Sequence, residues 1–176
     1  MLSMLTSIYP GELIISYNSG IMYHKIINLI ARINKVSPLP YAEKSYGKYM
    51  AVPFGKLLEG SAVPNTVTKS MHTEKYFYRD VSDFTIEEKS YYSTLENQVR
   101  TIKSFNRPVI LVDDLLHKGY RMNEIDPILK SNDVEVVETV VGVQTGRGRD
   151  LMTIKERTVD SAYFLPNLKC WIDESD

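Results

Sequence analysis

Hydrophobic and polar residues follow two different spacings along this chain. One set of apolar residues recurs at the helical interval, namely Met22, Ile26, Leu29, Ile30 and Ile33. This set predicts a helix over about residues 18–34. Short β-branched runs at 49–53, 109–112 and 134–143 predict strands, and the unbroken run at 109–112 is typical of a strand buried on both faces of a parallel sheet. The pattern predicts an α/β domain with a mostly parallel sheet flanked by helices.

Two more helices are predicted, one on each side of the run at 109–112. Ser93 followed by Glu96 predicts a capping box at the start of the first helix. Apolar residues beyond position 121 predict the second helix, in which Pro127 predicts a bend or a restart. Helices and strands therefore alternate through the middle of the chain, as they do in α/β domains.

Three segments between these elements have other patterns. Residues 63–78 mix Thr, Val and aromatic residues with polar ones, which predicts a strand or a hairpin. Residues 79–92 have no clear period and are predicted to form a mobile excursion. The string GRGRD at 146–150 predicts a turn because of its two glycines.

The bulk composition narrows the class of protein. A length of 176 residues with 43% hydrophobic content suits one domain, and we expect a single domain over residues 1–176. The net charge of −1 argues against nucleic acid as a partner, since a broad basic face is missing. No apolar run is long enough to predict a membrane partner. Cys170 is the one cysteine, which together with the absence of a secretory signal predicts a cytoplasmic protein.

The chemistry-bearing residues follow the central apolar run. Asp113 and Asp114 come directly after it, where open α/β sheets bind their ligands. Adjacent carboxylates repel each other unless donors or a cation compensate, and a sugar diol or Mg²⁺ would do so. The basic loop that follows contains His117, Lys118, Gly119, Tyr120 and Arg121. Its amides and a helix N-terminus are predicted to hold a phosphate, so the whole stretch predicts a ribose-phosphate subsite.

The string VILVDDLLHKGYRM at residues 109–122 resembles the signature of the type I phosphoribosyltransferase fold. The resemblance implies that Asp113 and Asp114 hold the ribose hydroxyls of phosphoribosyl pyrophosphate, while residues 117–121 hold its 5-phosphate. Purine-specific members carry an acid where His117 stands, which implies that His117 transfers a proton or binds phosphate. The family loop reads Thr-Gly-x-Thr, whereas Lys118 and Arg121 replace both hydroxyl residues here. The resemblance also implies a small hood built from terminal segments and loops, and a homodimer.

Other residues match the family less directly. Residues 53–56, which end at Lys56, follow an early strand, where the family places its pyrophosphate loop. Lys69, His72 and Lys75 resemble a lysine–histidine cluster that orotate-type members aim at the pyrophosphate, although they also suit one polar face of a strand. The chain further resembles the C-terminal part of longer cytidylyltransferase-related proteins. That likeness implies a missing N-terminal domain.

Two functions are consistent with these residues. The intact acid pair favours a Mg²⁺-dependent enzyme that transfers phosphoribosyl from phosphoribosyl pyrophosphate to a nitrogenous base. The altered loop favours a non-catalytic module that binds a nucleotide or has a regulatory role, such as the C-terminal domain of a nucleotidyltransferase-related protein. A simpler interpretation is that Asp113 and Asp114 end a strand and that Lys118 and Arg121 are solvated surface charges.

Overall fold

A five-stranded parallel sheet with helices on both faces organises the chain in the computed structural model, which describes residues 2–171. In chain order the elements are α1 (Leu2–Ile8), α2 (Ser19–Asn34), β1 (Met50–Pro53), β2 (Val67–Thr68), β3 (Thr73–Phe77), β4 (Phe84–Glu88), α3 (Leu95–Ser104), β5 (Val109–Leu116), α4 (Tyr120–Ser131), β6 (Val136–Thr145), α5 (Gly146–Ile154) and β7 (Val159–Leu165). The main sheet has the order β2-β1-β5-β6-β7, and β3 pairs with β4 as a separate antiparallel hairpin.

Both faces of the central strands are buried, which explains their continuous apolar sequences. Val109 and Leu111 pack into one core with α3 and α4. Ile110 and Val112 point the other way, into a second core with α2. The prediction of an α/β fold with a mostly parallel sheet flanked by helices is confirmed. Among the described helices, none combines the length and the apolar character that crossing a membrane requires.

The predicted helix over 18–34 is confirmed as α2, and Asn18 caps it by accepting a hydrogen bond from the amide of Ile21. The predicted Ser93 capping box is wrong. Thr94 caps α3 instead, because the Gln98 side chain donates to the Ser93 carbonyl at 2.7 Å and holds Ser93 outside the helix.

Two predictions about irregular segments are wrong, and a third, about Pro127, is wrong in part. Residues 84–88, inside the predicted excursion, form β4, because the hairpin lies further along the chain than the sequence suggested. The string GRGRD begins α5 rather than a turn, since Thr145 supplies a cap by accepting a hydrogen bond from the Gly148 amide. Pro127 lies inside one continuous helix, α4, so the helix does not restart there. It is exposed, so water can satisfy the carbonyl that loses its partner there.

A buried carboxylate joins α4 to the segment between α5 and β7. Asp126 on α4 is 2% exposed, and it accepts hydrogen bonds from Arg157 at 2.7 and 2.9 Å. The ammonium of Lys130 lies 3.0 Å from the same carboxylate. Burial by itself would raise the pKa of Asp126, but the hydrogen bonds from Arg157 and Lys130 outweigh it and lower the pKa below its ordinary value.

Replacing Asp126 by Asn is expected to reduce the free energy of unfolding by roughly 3 kcal/mol at pH 7, because the side chain of Arg157, only 13% exposed, would lose its counter-charge. Since the folded-state pKa lies below the unfolded one, the charge contribution is present above about pH 4 and is lost as the pH falls. Urea unfolding at pH 7 and at acidic pH measures both effects.

The matched control is Asp150→Asn, which changes an exposed carboxylate and should shift stability by less than about 0.5 kcal/mol. Equal losses in the two variants, or a difference that does not shrink in acid, would contradict the assignment to Asp126.

Candidate functional site

Strand β5 does not end at the acid pair, as the sequence suggested, but continues to Leu116. Asp113 pairs in register with Val141 of β6, and Leu115 pairs with Val143. Residues two apart on a regular strand share a face, yet Val141 and Val143 belong to opposite cores. The alternation of side chains between the two faces of the sheet is therefore interrupted beside Asp114.

The carboxylates of Asp113 and Asp114 both lie close to Gly55, although neighbouring side chains of a strand normally point to opposite faces. A Cβ atom on Gly55 would lie 2.8 Å from the Asp114 carboxyl carbon and would also overlap the Asp113 carboxylate. Two residues on, the amide of Leu57 donates to both oxygens of Asp114, at 3.0 and 3.1 Å. The loop after β1, which includes the exposed Lys56, thus lies against the acid pair.

Asp113 is the more buried of the two acids and lies beside a positive charge. Asp113 is 6% exposed, and its carboxylate lies 3.5 Å from Nη1 of Arg121. It also accepts a hydrogen bond from the Asp114 amide at 2.8 Å. Burial raises the pKa of Asp113 to about 7 with help from the Asp114 charge, although Arg121 and the amide hydrogen bond oppose the rise.

The basic loop leads directly into helix α4. Gly119 is the residue before the helix, with φ of +69° and no side chain to cap the first turn. The positive φ favours glycine, and a Cβ atom there would push the end of the Leu151 side chain aside. The first turn of α4 contains no acidic side chain, and Lys118 and Arg121 flank its start. This combination favours an anionic ligand.

The β3–β4 hairpin adds a third cation to this loop. The ammonium of Lys75 lies 3.9 Å from the centre of the Phe84 ring, and Phe84 packs edge-on against Tyr120 with ring centres 4.7 Å apart. Burial lowers the pKa of Lys75, and the charges of Arg121 and Lys118 lower it further. The three cations are therefore close enough to affect one another.

The other two members of the lysine–histidine set lie elsewhere. The ring of His72 stacks on Tyr92 at 3.7 Å, and its Nδ1 lies 2.9 Å from Glu59. The amide of Lys69 donates a hydrogen bond to the Ala51 carbonyl, so Lys69 lies beside β1. Only Lys75 of this set has a described contact with the basic loop.

A cavity of about 480 Å³ opens at the carboxyl ends of β6 and β7, and His117 connects it to the basic loop. Its lining residues are His117, Thr145, Arg147, Pro166, Asn167, Leu168 and Lys169. Nδ1 of His117 lies 3.1 Å from Oγ1 of Thr145. Burial lowers the pKa of His117, and the charges of Lys118 and Arg147 lower it further, so the ring is neutral at pH 7.

The sequence analysis did not select Thr145 or Arg147 as site residues. Thr145 is the last residue of β6, and Arg147 lies two residues further on, in α5. The rule that pointed to residues after β5 would have indicated them as well, because parallel strands present their carboxyl ends at one edge of the sheet. The same rule applies to the lining residues 166–169, which directly follow β7, a strand parallel to β6.

The acid pair suits a divalent cation only in part. Within residues 2–171 there is no group of three or more His, Cys, Asp or Glu side chains that could hold a metal. Mg²⁺ often uses one or two carboxylates and takes its remaining ligands from water and substrate phosphates. Asp113 and Asp114 fit that arrangement and would be its protein ligands.

Comparison with known proteins gives similarity at the level of solved structures. No protein-family model matches the sequence, and no curated protein is similar to it. A purine phosphoribosyltransferase from Pyrococcus horikoshii is 11% identical, with 91% of this chain and 97% of that chain covered and a TM-score of 0.44. A hypoxanthine phosphoribosyltransferase from Trypanosoma cruzi in complex with IMP is 13% identical, with 87% of this chain and 77% of that chain covered and a TM-score of 0.45. An adenine phosphoribosyltransferase from Thermoanaerobacter pseudethanolicus is 14% identical, with 81% of this chain and 80% of that chain covered and a TM-score of 0.40. At such low identities and TM-scores, these likenesses carry no argument about function.

Replacing Gly55 by Ala is expected to displace the acid pair, because the added methyl group has no room beside Asp113 and Asp114. Overpacking of this kind typically reduces stability by about 1–3 kcal/mol. The amide resonance of Leu57, which donates to Asp114, should move in a ¹H–¹⁵N spectrum.

Gly60→Ala serves as the control in the same loop. Its Cβ atom would meet nothing within 4 Å, so this variant adds only the backbone strain of φ +75° and should leave the Leu57 resonance in place. If Gly55→Ala also left that resonance unmoved, the close approach of Gly55 to the acids would be refuted.

Proposed function

We propose that this protein binds a ribose-phosphate ligand at residues 113–121 and transfers phosphoribosyl from phosphoribosyl pyrophosphate to a nitrogenous base. The observation that supports this most is the pairing of opposite chemistries at one edge of the sheet. Two carboxylates converge on Gly55, and the cations Lys75, Lys118 and Arg121 gather at the start of α4. Hydroxyl groups of a sugar suit the first group, and a phosphate suits the second.

In this proposal the acids act on the sugar. Asp114 accepts hydrogen bonds from the Leu57 amide in the structure, and in the proposal its carboxylate also accepts one from a ribose hydroxyl. Asp113 lies beside it, and both would stabilise the positive charge that develops on the ribose ring. Bound Mg²⁺ would neutralise the leaving pyrophosphate. Lys118, Arg121 and the amides after Gly119 would fix the 5-phosphate, and Lys56 and Lys75 would bind the pyrophosphate.

The base would occupy the cavity beside His117. Its nitrogen attacks C1 of the ribose as the bond from C1 to pyrophosphate breaks, and the proton on that nitrogen passes to His117. A neutral imidazole can accept the proton, and the lowered pKa of His117 keeps the ring neutral at pH 7. Orientation of the two substrates in adjacent sites would supply much of the rate.

A second function, a non-catalytic module for a nucleotide or sugar phosphate, is favoured by one specific contact. Arg121 lies 3.5 Å from Asp113, where it partly neutralises a carboxylate that the enzyme would use for the ribose or for Mg²⁺. In such a module the same site binds the ligand, and no bond is broken.

The first experiment measures binding. We expect phosphoribosyl pyrophosphate to bind in calorimetry, more tightly with Mg²⁺, and Arg121→Ala to weaken binding at least roughly ten-fold, since a charge-assisted hydrogen bond contributes about 1.5–3 kcal/mol. The matched control is Arg100→Ala, which removes an exposed arginine from α3 and should leave binding unchanged. Equal affinity in all three proteins would refute a phosphate site at the basic loop.

The second experiment separates the two functions by following pyrophosphate release with a panel of nitrogenous bases. If the protein is the proposed enzyme, pyrophosphate is released with at least one base. The Asp114→Asn variant then abolishes this release while it retains the fold, as monitored by circular dichroism. Binding without release for every base supports the module.

A further inference from the structure

The hydroxyl group of Thr145 is the centre of three polar contacts. Its Oγ1 lies 3.1 Å from the amide nitrogen of Gly148, 3.3 Å from the carbonyl oxygen of Leu116 and 3.1 Å from Nδ1 of His117. Thr145 is 1% exposed, so water does not substitute for these partners. The neutral imidazole of His117 is therefore part of a closed set of donors and acceptors.

Counting hydrogens leaves one arrangement that makes all three contacts favourable. A threonine hydroxyl has a single hydrogen to donate. The Leu116 carbonyl can only accept, so that hydrogen points to it, and the Gly148 amide can only donate, so it donates to Oγ1. The remaining contact is then favourable only if Nδ1 of His117 carries a hydrogen and donates to Oγ1.

We propose that Thr145 is a positioning residue that holds His117 in the tautomer with hydrogen on Nδ1, so that Nε2 presents a lone pair and the site selects a ligand with an N–H donor. His117 lines the cavity, and Nδ1 is occupied by Thr145. The ligand class that fits is a small nitrogen heterocycle that donates a hydrogen bond to Nε2. The proton that leaves the heterocycle goes to Nε2 and makes His117 an imidazolium. The inference rests on the proposed function for this proton transfer, whereas the tautomer itself does not depend on it.

The test is the tautomer of His117 in the full chain without any ligand. Long-range ¹H–¹⁵N spectra of ¹⁵N-labelled protein at pH 8 distinguish the two neutral forms by their ring nitrogen shifts. The chain has three histidines, and His117→Gln identifies the signals of His117 by their loss. We expect the Nδ1–H form to predominate in the wild type and in Thr145→Ser, which keeps the hydroxyl. In Thr145→Val the Nδ1–H share should fall to a minority.

A matched control lies on the same strand. Thr139 is also buried, and its hydroxyl has no hydrogen-bond partner among the described residues, so Thr139→Val should leave the His117 spectrum unchanged. If Thr145→Val fails to fold because α5 loses its cap, the spectra of the wild type and Thr145→Ser still decide.

A wild-type spectrum dominated by the Nε2–H form, or a folded Thr145→Val protein that keeps Nδ1–H, would overturn the proposal. The outcome is separate from that of the proposed function. A correct tautomer in a protein that releases no pyrophosphate would uphold the role of Thr145 and reject the transfer. If transfer does occur, Thr145→Val should lower kcat while the KM for phosphoribosyl pyrophosphate stays within about two-fold, because Thr145 acts through His117 on the base alone.

Discussion

A buried acid, Asp113, beside a half-buried one, Asp114, is the constraint on which the carboxyl edge of this sheet depends. A carboxylate removed from water is unfavourable unless donors or a positive charge replace the lost hydration. Asp114 obtains donors from the Leu57 amide, and Asp113 obtains a charge from Arg121. Gly55 provides the space in which both acids fit. The loop after β1 and the first turn of α4 are therefore held against the end of β5.

The basic residues of the loop have two roles that compete. Arg121 lies near Asp113, yet it is also one of the cations that make the start of α4 attractive to an anion. A bound phosphate would draw the guanidinium away from the acid, and a sugar hydroxyl or a cation would then replace it. A hydroxyl residue at this position, as in the family loop that the sequence resembles, could not neutralise Asp113. In the proposed reaction, the ease with which Asp113 releases Arg121 would therefore limit turnover.

One hydroxyl group links the ends of two neighbouring strands. Thr145 closes β6, caps α5 and contacts both the last carbonyl of β5 and the ring of His117. Gly148 is required beside it, because a Cβ atom there would overlap the Leu116 carbonyl. The cavity and the basic loop are consequently positioned by the same few atoms. A change in the tautomer of His117 would alter which hydrogen-bonding group the ring offers to the cavity, and the acid pair is not among the residues that line this cavity.

The sequence by itself determined the parallel sheet and the buried central strand, because these depend on local periodicity. It also indicated the stretch from Asp113 to Arg121 as a candidate site, through the rule that ligands bind at the carboxyl ends of parallel strands. Spacing along the chain could not show that Gly55 receives both acids, that Lys75 reaches the loop while His72 stacks on Tyr92, or that GRGRD is a capped helix. Those outcomes come from contacts between residues far apart in sequence. Only the packing of β1, the hairpin and β6 around the end of β5 decided them.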